Sequence, residues 1–263
     1  MNLRGGLAVI RVQLFGFLSS WGFFWTLALG WMTGPLIYLL VWSAAASGGA
    51  IGGYDRNGFV TYYLCLILVN QLTYPTSHWS TGEAINNGSI SSAFLRPLPL
   101  FYGDIGCDVA TKIVCMPFVA AVVTVLGLLF GVRPRFEPSA LPAAVAALLM
   151  ALAIRFLLAH TLALISFWTQ QSDSLLSVND TFVFLFSGQV APLALFPSVL
   201  QKITAFLPYR YLAAFPVEIF MGTLSKPQAV SGLAVQALWL AALAIICIVV
   251  TKRGRKRYTA TGG

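Results

Sequence analysis

The sequence predicts an all-α membrane protein with six transmembrane helices, and three observations carry that prediction. Hydrophobic residues make up 58% of the 263 residues and charged ones only 9%, with a mean hydropathy of +0.82. Apolar runs near the roughly 20 residues a membrane-crossing helix needs recur along the whole chain. Finally, Lys252, Arg253, Arg255, Lys256 and Arg257 cluster directly after the last run, where cytoplasmic anchors sit. Length alone would suggest one or two soluble domains. The apolar runs overrule that, and residues 1–263 read as a single transmembrane domain.

Leu7, Ile10, Leu14 and Phe17 recur at helical spacing with Arg4 and Arg11 beside them. They describe a helix over about 4–20 that either lies in the membrane interface or lengthens the first span. Arg11 interrupts this run, so a cleavable signal peptide is not expected. The first span, about 22–43, has Trp21 and Trp25 at one end and Trp42 at the other, matching two aromatic belts roughly 30 Å apart. Further spans fall at about 59–79, 105–130 (kinked by Pro117), 142–169 (Pro142 in the first turn), 174–193 and 229–251. The last ends in the basic tail, 252–263. With six crossings and this tail inside, both termini are cytoplasmic. Arg4, Arg11, Arg96 and the tail then oppose Arg56, Arg133, Arg135, Lys202, Arg210 and Lys226 outside.

Two stretches depart from plain spans. Residues 187–222 are mostly apolar, yet Pro192, Pro197, Pro208 and Pro216 and the charges Lys202, Arg210 and Glu218 interrupt them. Proline breaks helix interiors, so this stretch predicts a re-entrant hairpin over about 195–222 with helices near 196–206 and 208–221. Irregular backbone at that depth must be buried in protein or line a wet cavity. Its candidate gate residues are Gly188, Pro192, Phe196, Pro197, Pro208, Tyr209, Arg210 and Pro216.

The second stretch, about 82–98 between the second and third spans, holds an Asn86-Asn87-Gly88 turn and a short helix ending before Pro97. It is too poor in charge for a solvated loop of its length. Ile85, Ile90, Phe94 and Leu95 therefore predict a docking surface, unless the loop packs on its own helices.

Charges inside spans are expensive. Arg155 lies near the middle of the fourth span, and Asp108 and Lys112 are four apart on the third. Asp173 and Asp180 flank the start of the fifth. Arg155 either faces a polar pathway or subunit interface, paired with Asp180 or Asp108, or forms a structural pair between helices of one subunit; spacing alone leaves these open. Small residues at four-residue spacing, Ala143, Ala147 and Ala151, permit close helix contact.

Other chemistry is absent. No Gly-Lys pair exists, so there is no P-loop; no H-E-x-x-H or G-x-S-x-G occurs. His78 and His160 are the only histidines, so no metal site is expected. The four cysteines form no C-x-x-C and read as buried thiols. The net charge of +8 is concentrated in the tail, pointing to anionic membrane lipids rather than nucleic acid.

Two motifs carry a family resemblance. E-A-I-N-N-G-S-I-S-S-A-F-L-R-P-L (Glu83 to Leu98) is similar to the I-x-x-G-x-[IL]…L-L-R-P segment of type-2 ATP-binding-cassette (ABC) exporter permeases. F-L-F-S-G-Q-V-A-P-L-A-L-F-P (Phe184 to Pro197) followed by F-L-P-Y-R-Y-L-A-A-F-P (Phe206 to Pro216) resembles a bacterial subfamily often encoded as two unlike permeases beside one ATPase. The resemblance implies a permease without an ATPase site of its own, paired with a second permease, identical or different. Two ATP-binding subunits, carrying ATP and Mg, would dock on the coupling segment at Glu83, Ile85, Asn87, Gly88, Ile90, Leu95, Arg96 and Pro97. An ion-coupled secondary carrier, which usually shows two related halves with paired broken helices, and a non-transporting membrane subunit are the alternative readings.

Overall fold

The computed structural model describes residues 3–18, 21–95, 99, 101–132, 138–169 and 171–258. Among these residues there is no strand, only an isolated bridge between Ile51 and Tyr54. The α-helices in chain order are α1 (Leu3–Leu18), α2 (Trp21–Ala45), α3 (Arg56–Thr73), α4 (His78–Asn86), α5 (Ser91–Phe94) and α6 (Phe101–Leu129). They continue with α7 (Leu141–Leu164), α8 (Ser172–Phe186), α9 (Ser198–Phe206), α10 (Ala214–Phe220) and α11 (Lys226–Arg257). Among the described residues three stretches are both long and apolar enough to cross a membrane: α6, α7 with its 3-10 extension to Phe167, and α11.

Local chemistry sets the helix starts. The Asp55 carboxylate accepts the Gly58 amide at 2.6 Å and caps α3. Ser225 and Gln228 form a capping box ahead of α11, and Pro227 fills the first turn, where its missing N–H is no loss. Pro142 does the same for α7.

Three boundaries differ from the sequence expectation. The second span does not run to 79: α3 stops at Thr73, because Pro75 forces Tyr74 into an extended conformation (ψ 123°). The chain restarts as the separate helix α4. The fifth span ends at Phe186, not near 193, since Gly188 takes a positive φ of 86° and turns the chain away. The 15 residues of α8 rise only about 22 Å. The second arm of the hairpin is not one helix. A 3-10 turn, Pro208–Leu212, is separated from α10 by Ala213 at φ −144°, ψ −58°.

The packing centre is α3, whose Phe59, Tyr62, Tyr63, Leu66 and Ile67 are all at most 2% exposed. It lies against α2, α6, α7 and α10. The second hub, α7, contacts α11, α10, α4 and α8. Its Ala147 and Ala151 are fully buried, and the small residues let neighbouring backbones approach. The molecule thus has two ends. One carries α4, α5, the start of α6 under α1 (Tyr102 against Gly6) and the finish of α11 (Tyr258 against Phe94 and Phe167). The other carries the 46–58 loop and the hairpin, joined where Leu195 meets Gly52.

Candidate functional site

The intramembrane charges read from the sequence converge on one place, the elbow between α3 and α4. One oxygen of Asp108, on α6, accepts from the Thr76 amide (2.8 Å) and hydroxyl (2.9 Å) and from the Ser77 amide and hydroxyl (both 3.3 Å). Its other oxygen lies 3.9 Å from the Lys112 ammonium one turn on, and that ammonium donates to the Tyr74 carbonyl at 3.1 Å. The four-residue pair foreseen on α6 is therefore present, and its work is to hold backbone groups that Pro75 has freed from helix bonding.

Arg155 reaches the same elbow from α7. It donates to Asn70 Oδ1 at 2.6 Å and Thr73 Oγ1 at 2.9 Å, and its guanidinium sits 5.0 Å from the centre of the Tyr74 ring. These are its direct partners: among the described residues no ion pair joins Arg155 to Asp180 or Asp108, although Asp180 is near enough to act on it through space. Its direct contacts are neutral acceptors and an aromatic face, around a guanidinium that is 5% exposed. Asp180 stands half-buried on α8. One turn along from the elbow, Asp104 accepts from the Thr81 hydroxyl at 2.7 Å and lies 2.7 Å from His160 Nδ1, tying α4 to α6 and α7.

Beyond the elbow, Ile85 and Ile90 are buried with Leu164 and Phe167 in a small apolar core. Of the four side chains expected to form a docking surface, only Leu95 is exposed, at 88%. The two isoleucines are turned inward because the Asn87-Gly88 turn folds α4 back on itself, with Ala84 O accepting the Ile90 amide at 3.0 Å. Glu83, Asn87, Ser89, Ser92 and Leu95 make the outward face. Arg96 and Pro97 lie outside the described residues. The tail, read as an anchor, also clamps this segment. Tyr258 Oη donates to the Gly88 carbonyl at 3.0 Å, its ring meets Phe94, and Arg255 sits over the Phe94 ring at 5.5 Å. Gly254 leaves room for Phe167, which a Cβ would strike.

The hairpin is held differently. The Gly188 carbonyl accepts from Tyr62 Oη (2.9 Å), and the Val190 carbonyl from both Tyr63 Oη and Trp42 Nε1 (2.9 Å each). Ala214 N donates to the Ser187 carbonyl at 2.9 Å, pinning α10 to the end of α8. Gln236, fully buried on α11, donates to the carbonyls of Tyr211 (3.1 Å) and Ala147 (2.8 Å). The irregular backbone from Ser187 to Leu193 is covered by protein.

Pro192 and Pro216 are buried, Phe196 is half-buried, and Pro197 and Pro208 begin α9 and the 3-10 turn. The Tyr209 ring meets Phe182 and Phe186 of α8. Arg210 pairs with Glu218 at 2.8 Å beside a cavity of about 550 Å³ that is also lined by Tyr54, Gln201, Thr204 and Gln228. Burial and the Glu218 carboxylate push the Tyr54 phenol up to about 12, so it stays a neutral hydroxyl. Sequence reasoning missed Trp42, Tyr62, Tyr63, Gln236 and Tyr258. An adjacent tyrosine pair and a lone glutamine inside apolar runs were the available signals.

These regions define a class: a multi-pass helical membrane protein whose helix breaks are ordered at both ends. Among the described residues no three His, Cys, Asp or Glu side chains gather to hold a metal. A family model described as ABC-2 family transporter protein matches residues 29–262, and the chain belongs to that family. It is a transmembrane permease subunit of the ABC-2 type, and not the ATPase of such a system. No curated protein matches the sequence.

Proposed function

We propose that this chain forms half of the translocation pathway of an ATP-driven exporter in a bacterial inner membrane. It crosses six times with both termini in the cytoplasm and pairs with a second permease, identical or different. Two ATP-binding subunits, which carry the ATP and Mg, dock on the outward face formed by Glu83, Asn87, Ser89, Ser92 and Leu95. Ile85, Gly88 and Ile90 sit behind that face and pass its displacement on to α7 and α11.

The observation that carries this reading is the elbow. The first helix of the coupling segment, α4, is bonded to α6 through Asp108 at Ser77 and Asp104 at Thr81, Asp104 meets His160 of α7, and Arg155 joins α7 to the end of α3, so a push on α4 is delivered to α3, α6 and α7 together. The hairpin at the opposite end, hinged at Pro208 and Tyr209, shapes the exit. Gentle-detergent purification of the tagged chain tests the proposal. An ATP-binding-cassette subunit in equal amount to total permease, lost on Leu95→Asp while the chain stays folded, supports it. A chain purified alone that moves solute in liposomes on an ion gradient overturns it.

A further inference from the structure

A groove of about 540 Å³ opens between α6, α7 and α11 at the tail end of the molecule. Its walls are apolar: Phe101 and Ile105 from α6, Phe156 from α7, and Ala244 and Ile248 from α11. Lys252 and Arg255 stand at its mouth. From Ala244 to Lys252 the α11 wall rises about 12 Å, close to the roughly 15 Å of hydrocarbon in one leaflet.

The charges around the groove are unevenly committed. Asp104 on α6 is engaged by His160 and Thr81. Lys252 and Arg255 make no ion pair among the described residues, although Arg255 lies over the Phe94 ring. An apolar trough about as long as one leaflet is thick, capped by two cations that make no ion pair among the described residues, is complementary to one kind of molecule. We infer that the groove between α6, α7 and α11 is a binding site for an anionic phospholipid, its acyl chain along Ile105 and Ile248 and its phosphate headgroup on Lys252 and Arg255. The charge complementarity selects anionic over zwitterionic lipid. This site does not depend on ATP coupling. It adds to it, because Arg255 also braces Phe94, so the bound lipid buttresses the contact between tail and coupling segment.

Native mass spectrometry of the full-length chain, titrated with phosphatidylglycerol or phosphatidylcholine of identical acyl chains, tests the inference. Each cation near a headgroup is worth roughly fivefold, so the wild-type preference for phosphatidylglycerol is about 25-fold and falls toward unity in Lys252→Gln/Arg255→Gln. Removing the same charge away from the groove, in Arg253→Gln/Lys256→Gln, leaves the preference in place. Filling the trough with Ala244→Trp lowers binding of both lipids. Glycerol phosphate, the headgroup without chains, does not displace the lipid. Equal binding of the two lipids by wild type would overturn the proposal. So would equal loss in both double variants, which marks diffuse charge attraction, or displacement by glycerol phosphate.

Discussion

The two helix breaks of this permease solve one problem with opposite chemistry. At the elbow, backbone and hydroxyl groups are held by charge, through Asp108, Lys112 and Arg155. At the hairpin, the freed carbonyls are held by neutral donors, Tyr62, Tyr63, Trp42 and Gln236. A neutral donor is cheap to desolvate and contributes about 1 kcal/mol, so the hairpin's stability is spread over many bonds. A buried charge is expensive to desolvate, and removing its partner strands it at about 3–5 kcal/mol. The elbow is therefore a concentrated joint that fails as a unit, and the hairpin a distributed one that loosens in steps.

Substitutions can break or sharpen that contrast. The largest effect is expected from Asp108→Ala, which strands Lys112 and four donors at once and destabilises the protein by about 3–5 kcal/mol. A thermal melt in detergent checks this, and a loss below about 1 kcal/mol would mean the elbow is not a charged joint. Gly188→Ala comes next, at about 2–4 kcal/mol. A side chain at φ 86° is strained, and its Cβ would meet the Tyr62 hydroxyl and lie 2.8 Å from Ala214 Cβ.

Smaller still is the difference between two adjacent tyrosines. Tyr62→Phe leaves the Gly188 carbonyl without its donor and costs about 1–3 kcal/mol, whereas Tyr63→Phe costs less because Trp42 still serves Val190. Equal losses would refute the division of labour. The smallest change belongs to Tyr258→Phe, about 0.5–1 kcal/mol, with its clearer readout in faster hydrogen exchange around Gly88.

The contrast also explains what the sequence disclosed. The spans with long unbroken apolar runs, α6, α7 and α11, were legible because hydropathy over 20 residues is a sum that neighbours cannot overturn. The end of α3 was written in Tyr74-Pro75, but the apolar run hid it. The end of α8 was written in Ser187-Gly188, where glycine admits a conformation no periodicity reports. Charged residues announced themselves individually: Arg155, Asp108 and Lys112 are rare inside spans. Their partners did not, since Asn70, Thr73, Thr76 and Ser77 are ordinary polar residues, so Arg155 was matched with acids that make no direct ion pair with it. The hairpin's supports were less visible, because a tyrosine hydroxyl in an apolar helix looks like packing until the carbonyl it meets is known. Ile85 and Ile90 show the converse, apolar residues in a loop that fill its own core.

The most direct measurement is the accessibility of one position on the coupling face. With the four native cysteines replaced, Leu95→Cys is treated with a membrane-impermeant maleimide in inside-out vesicles, with and without the ATP-binding subunits. Labelling from the cytoplasmic side that is blocked when those subunits are bound is the predicted result. Labelling only from the opposite side, or equal labelling in their presence, would contradict the account.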